Sequence, residues 1–275
     1  MLEMTSQGRK FREQLRQECC HFLDANASHH AMTDMPPSVF WELYLAHALR
    51  RSGINIVEQN RTKKKQRGPD LRATNPDVWI EAVVAYPGSG EDALEAPPRN
   101  GSYEVPVDDF ILRLRNAIET KSRIIKGYIQ DKIIQQEQAA VIAISGCMLY
   151  TQFLEQPIPR IVRAALGVGY LVLDVNKSTG AHAGYSLEHR DGVQKAKGAR
   201  VKTDIFLDPA YAHVSALIYS ASDWVNTPYE PGNEFIVIHN ENATAKLPHG
   251  WLPVGDEYWR EQSALRCVRH SASEG

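Results

Sequence analysis

The sequence predicts a mixed α/β protein: a mixed β-sheet flanked by helices, followed by a β-rich C-terminal part. Three observations predict it. The stretches SVFWELYLAHALRRSG and VDDFILRLRNAIETKSRIIKGYIQ repeat apolar residues at helical spacing. VWIEAVVA and AAVIAISG are nearly continuous apolar runs of strand length. Beyond residue 176 the segments turn strand-like. The 275 residues are 43% hydrophobic and 23% charged, with a net charge of −2. The length fits one large domain or two small ones with a sizeable core, and with no clear linker the chain reads as a single soluble domain. The charge balance is neither basic nor acidic enough to name a partner.

Taken in order, QGRKFREQLRQECCHFLDA reads as an amphipathic helix through Phe11, Leu15, Cys19, Phe22 and Leu23, and NASHHAMTDMPP breaks it. The next helix opens after Pro36-Pro37 and stops at Gly53. INIVEQ is a short strand and NRTKKKQRG a polar loop. GPDLRATNPDVWIEAVVA reads as two strands joined by the turn ATNPD, with Pro76-Asp77 as turn chemistry. Residues 87–106, rich in Gly, Pro and acids, form a long loop. A strong helix follows, with Asp108 or Asp109 near its start. AAVIAISG is expected to be a fully buried strand, PIPRIVRAAL a helix and GYLVLDV a second fully buried strand. The last hundred residues add AGYSLEH, VKTDIFL, HVSALIYS and EFIVIHN as strands.

Several function classes are excluded or weakened at this level. The N-terminal stretch lacks an apolar run, so no signal peptide is expected. No segment approaches the roughly 18 consecutive apolar residues of a membrane span. Cys19, Cys20, Cys147 and Cys267 include no C-x-x-C pair, so neither a disulfide framework nor structural zinc is expected, and a cytoplasmic, reducing setting fits. CCH at residues 19–21 and His29-His30 have poor ligand spacing, and GVG at 167–169 is too short for a dinucleotide fingerprint. His239, with Asn240 and Asn242, is expected to close a strand with local hydrogen bonds.

Three acids carry the functional signal. Glu42 projects from the helix face that also carries Val39, Leu45, Ala46 and Leu49. Asp70 follows Pro69 at a strand entry. Glu81 lies mid-strand on the same face as Trp79 and Val83, where an ionised carboxylate needs a cation or donor. Three carboxylates do not all ionise together in a low-dielectric site, so a divalent cation is the natural neutraliser, and magnesium suits oxygen ligands best. Without metal, removing Glu81 is expected to relieve repulsion. The plainer alternatives are an ion pair of Glu42 with Arg50 or Arg51, and a turn-capping role for Asp70.

A helix glutamate, then Pro-Asp at a strand start, then a mid-strand Glu resembles the PD-(D/E)XK nuclease superfamily over residues 36–175. The resemblance implies a restriction-endonuclease-like core, with 176–275 as an extension, and magnesium- or manganese-dependent hydrolysis of nucleic acid, in the first place DNA. It implies Asp70 and Glu81 as metal ligands, joined by the backbone carbonyl of Ala82, with Glu42 supporting them from the first core helix. The chain departs from the motif at Val83, which stands where the family has lysine. Either the lysine function has moved or hydrolysis has been lost, leaving a binding module for nucleic acid or protein.

Lys121 is the candidate for the moved lysine. Arg113, Ala117 and Lys121 share a helix face beside the stripe Leu114, Ile118, Ile125, so Lys121 can bury its stem and aim its amine into a site. Arg113 is a candidate phosphate ligand on the same face. The run Arg61, Lys63, Lys64, Lys65, Arg67 precedes Asp70 and is a candidate grip on a nucleic-acid backbone. For all of these, the plainer alternative is a solvated surface charge.

Overall fold

The computed structural model describes residues 6–58, 67–151, 157–262 and 264–270, apart from the side chains of residues 25 and 26. Three helices open the chain: α1 (Ser6–Cys19), α2 (Ala25–Met32) and α3 (Pro37–Arg51). The stretch expected to break the first helix thus contains a helix of its own. Asp24 caps it by accepting a hydrogen bond from the Ala27 N–H at 2.8 Å. Pro37 occupies the first position of α3, where no N–H is needed. Gly53 ends that helix with φ +82°, the left-handed turn that glycine adopts without a Cβ penalty.

Then come β1 (Asn55–Ile56), β2 (Leu71–Thr74), β3 (Val78–Val84), α4 (Val107–Gln130), β4 (Ala139–Ser145) and α5 (Arg160–Leu166). The remainder is β5 (Val168–Val175), β6 (His182–His189), β7 (Gly192–Gln194), β8 (Arg200–Lys202), β9 (Ala216–Ser220), β10 (Ile236–His239), β11 (Gly255–Glu261) and β12 (Ala264–His270). One mixed eight-stranded sheet runs β1-β2-β3-β4-β9-β10-β11-β12, so the later strands extend the sheet that the earlier ones begin. The β3/β4, β4/β9 and β10/β11 pairs are parallel and the rest antiparallel.

Alternation along the strands sends side chains into two layers. Ile80, Ala82, Val84, Val141, Ala143, Ala216 and Ile218 pack with α1, α2 and α3 on one face. Ala140, Ile142, Ile144, Leu217 and Tyr219 pack with α4 and α5 on the other, where Trp79 and Val83 also lie. The central strand β4 is buried along its whole length, as its unbroken apolar run predicts. Among the described residues no helix is long and apolar enough to cross a membrane.

The expectation for GYLVLDV is corrected. β5 lies outside the main sheet and pairs only with β6, while β9 takes the place beside β4. Tyr170, Leu171, Val172 and Leu173 are therefore exposed, because a two-stranded ribbon has no second layer to cover it. VKTDIFL is a strand only over Arg200–Lys202 and then turns into a short 3-10 helix at Ile205–Leu207.

Trp41 shows how α3 is fixed to the sheet. It is fully buried, and its indole N–H donates to the Ala143 carbonyl at 3.1 Å. Trp41→Ala is expected to cost about 3–5 kcal/mol of unfolding free energy through the cavity and the missing hydrogen bond. Urea unfolding checks this, and a cost under about 1 kcal/mol would show that α3 is not anchored there.

Candidate active site

The β2/β3 register assembles the first part of the site. Leu71 pairs with Ile80 and Arg72 with Trp79, so one step further the ladder sets Asp70 opposite Glu81. β2 begins only at Leu71, and the Asp70 side chain continues its ladder: Oδ2 accepts the Ala82 N–H at 2.7 Å. Like charges on directly opposed strand positions repel, and Glu81 is only 4% exposed, so a cation must meet them.

Lys121 is that cation. Its Nζ lies 2.7 Å from Glu81 Oε1 and 4.0 Å from Asp70 Oδ2. The helix α4 delivers it by the periodicity that buries Ala117, Ile118 and Ile125, and the lysine stem follows those residues inward. Lys121 is therefore not a solvated helix charge. Val83, two residues after Glu81 on the same strand face, packs against the same layer. The segment bearing Asp70 is held to α4 a turn or two further on, where the Tyr128 hydroxyl donates to the Gly68 carbonyl at 3.1 Å.

Glu42 belongs to the layer across the sheet, yet it shares the field of this site. Burial raises its pKa well above the usual carboxylate range. The charges of Asp70, Asp24 and Glu81 push the same way, against Lys121. Asp24, the cap of α2, was not singled out in the sequence, where the residues after it read as a break and not as a helix.

The remaining sequence-predicted residues are not gathered here. Arg113 is eight residues before Lys121, about 12 Å along the helix. It is half-buried under Gly88, whose positive φ and missing Cβ let the loop pass the guanidinium. It lines a cleft of about 480 Å³ with Arg115, Lys195 and Arg200. Lys63, Lys64 and Lys65 lie outside the described residues, as does Arg61. Arg67 pairs with Asp131 and lies over the Tyr128 ring at 5.6 Å. Asp77, in the turn, takes a two-pronged ion pair from Arg72 at 3.0 and 2.7 Å and so is structural. Ala82 presents its N–H to Asp70, while its carbonyl belongs to the β3 strand.

His239 does more than end its strand. It is buried against Glu257, eighteen residues away, with Nε2 at 2.5 Å from Oε1. No sequence spacing announced that partnership.

The raised pKa of Glu42 gives a signed pH dependence. A carboxyl whose folded-state pKa lies above its unfolded value contributes stability that is fully present below the unfolded value. That stability is lost as pH rises through the folded value. Glu42→Gln cannot ionise, so in EDTA it is expected to match the wild type at acid pH and to melt at increasingly higher temperature than wild type as pH rises. Melting curves from about pH 4 to about pH 8 check this. A gap that stays constant would mean that Glu42 titrates as an ordinary surface acid.

No family model matches the chain, and no curated protein or solved structure matches it.

Proposed function

We propose that this chain is a metal-dependent phosphodiesterase acting on nucleic acid, most simply DNA, with a restriction-endonuclease-like core. The observation that carries the reading is the Lys121 amine placed between Glu81 and Asp70. The motif lacks a lysine at Val83, and α4 supplies one from the facing layer. The order helix, three strands, helix, strand over α3 to β4 supports the same reading.

The donor set fits a hard divalent ion. It consists of carboxylates without sulfur or imidazole, and at Glu42 burial, joined by the charges of Asp70 and Glu81, opposes ionisation. Asp70 and Glu81 would hold Mg2+ or Mn2+, with the Ala82 carbonyl as a further ligand and Glu42 holding a second ion or a water. When bound, such an ion supplies a water of lowered pKa and neutralises charge on the phosphate. Lys121 would offer its remaining N–H donors to that water or to a phosphate oxygen, where charge develops. Glu42, protonated more readily than an ordinary carboxylate, would give up its proton as a cation arrives. The basic loop just before Asp70 would grip the backbone close to the acids.

A second reading has its own observation. Lys121 already pairs with buried Glu81, so the fold holds that acid without a metal, as in a nuclease fold retained only for binding nucleic acid or protein.

Cleavage of double-stranded DNA, single-stranded DNA and RNA, in Mg2+ and in Mn2+, separates the two. Lys121→Met is expected to lower turnover by about 10²–10⁴-fold, the scale for losing a positioned charge or proton-transfer group. It also leaves Glu81 buried without its ammonium, at a cost of about 3 kcal/mol, so Lys121→Met/Glu81→Gln serves as the folded control for binding. Lys121→Arg keeps the charge and should retain the fold. Full activity in folded Lys121→Met overturns the role of this lysine. A wild-type protein that cleaves none of the three substrates overturns the enzyme and leaves the binding module.

Replacing Lys63, Lys64 and Lys65 together by alanine is expected to weaken nucleic-acid binding. The slope of log affinity against log salt should flatten by up to about one unit for each phosphate no longer gripped. An unchanged slope in a binding-competent variant would show that this loop does not touch the backbone.

A further inference from the structure

A second constellation lies on the other half of the sheet, and the proposed phosphodiesterase does not use it. Parallel pairing of β10 with β11 sets Val237 beside Glu257, so His239, two residues on, shares the face of Glu257. Antiparallel pairing of β11 with β12 sets His270 opposite Gly255, diagonal to Glu257 on that face. The loop 240–254 brings His249 over the same spot. One ligand atom from each of His239, His249 and Glu257 falls within 4.8 Å of the others.

The order of the contacts resembles a ligand shell and its support. His249 Nδ1 faces Glu257 Oε1 at 3.8 Å, while its Nε2 lies 2.9 Å from Glu241 Oε1. A carboxylate on the far nitrogen fixes the tautomer and leaves the near lone pair for an ion. Glu241 is itself held by Lys246 Nζ at 3.0 Å. Glu257 Oε1 also accepts the Gly250 N–H at 2.8 Å, and its Oε2 is held by His270 Nε2 at 2.9 Å.

We propose that His239, His249 and Glu257 bind a zinc-class divalent transition-metal ion that ties the loop 240–254 to β10 and β11. Two imidazoles and one carboxylate suit zinc or cobalt and not magnesium. His249 is half-exposed, and water would complete a fourth position on that side. Binding requires two small movements. At metal–ligand bonds of about 2.0–2.2 Å, neighbouring donors stand over 3 Å apart, so the His239–Glu257 contact must open by less than about 1 Å. The His239 and His249 rings stack at 4.4 Å with 30° between their planes, so His249 must tilt until both planes contain the ion. Its place on a loop permits that.

The test uses the untagged full chain, stripped with chelator and titrated with CoCl2, then ZnCl2 in competition. One cobalt per chain with the visible absorption of a tetrahedral ion is expected, displaced by zinc and not by excess magnesium. His249→Ala removes a half-exposed ring and should keep its circular dichroism while losing the signal. Glu241→Gln should weaken binding about 10–100-fold, as changes behind a ligand do. Asp70→Asn should leave the cobalt spectrum unchanged, which separates this site from the acids near Lys121. Absence of stoichiometric binding, or a spectrum unaltered in His249→Ala, overturns the proposal. A spectrum abolished in Asp70→Asn does so equally.

Discussion

The ion pair between Lys121 and Glu81 is the constraint around which this half of the molecule is arranged. The β2/β3 register brings Asp70 opposite Glu81, a pairing that costs stability unless a cation meets it. Among the described residues α4 supplies one, placing the Lys121 amine 2.7 Å from Glu81 Oε1. The demand therefore fixes the rotation of a 24-residue helix as well as its packing. A turn of the helix by one residue, about 100°, would carry Lys121 away from the buried Glu81 and bring polar positions of α4 against the sheet. Breaking a buried pair from one side costs more than the pair contributes, which is why such a contact specifies geometry better than it stabilises. It also reverses the simplest expectation for Glu81. Removing this acid does not merely relieve repulsion, because it leaves Lys121, itself largely buried, without its nearest partner.

Glu42 shows the same electrostatics from the other layer. The single ammonium of Lys121 serves three nearby carboxylates, with Asp24 adding a further negative charge. Burial first, and the surrounding negative charge after it, make Glu42 harder to ionise than an ordinary carboxylate. A cation entering the site would displace the proton, so cation affinity and pH are linked through this residue.

What the sequence made legible followed from local rules. The helices α3 and α4 carry strong apolar periodicity, and β3 and β4 are long apolar runs. Asp70 and Glu81 stood out because an acid in such a strand breaks the pattern. Lys121 stood out because helical spacing set its stem beside Ile118 and Ile125. What stayed hidden depended on partners distant in the chain. β5 has the composition of a core strand, and only the choice of β9 as neighbour of β4 leaves it exposed. β11 and β12 carry charged residues at several positions, so nothing in their composition announced the last two strands of the main sheet. The cluster around Glu257 draws on residues 239, 249, 257 and 270, which no spacing motif connects.

The two polar clusters obey opposite chemistry on one sheet. Near Lys121 the excess is negative and all acceptors are oxygen, so the field there favours a hard cation or the proton of Glu42. Around Glu257 one carboxylate is met by His239 and His270, with His249 close by, and Glu241 lies behind His249. The donors there are mixed nitrogen and oxygen, and ligation would require the histidines to be neutral. The side chain of Glu81 lies with those of Trp79 and Val83 on the α4 face, while His239 lies with Val237 on the α3 face. Strands β4 and β9 stand between the two pairs of strands. The sheet thus keeps an acid-rich site and a histidine-rich site apart by both face and lateral distance. Neither charge pattern need compromise the other, and each can be altered by substitution without redrawing its counterpart.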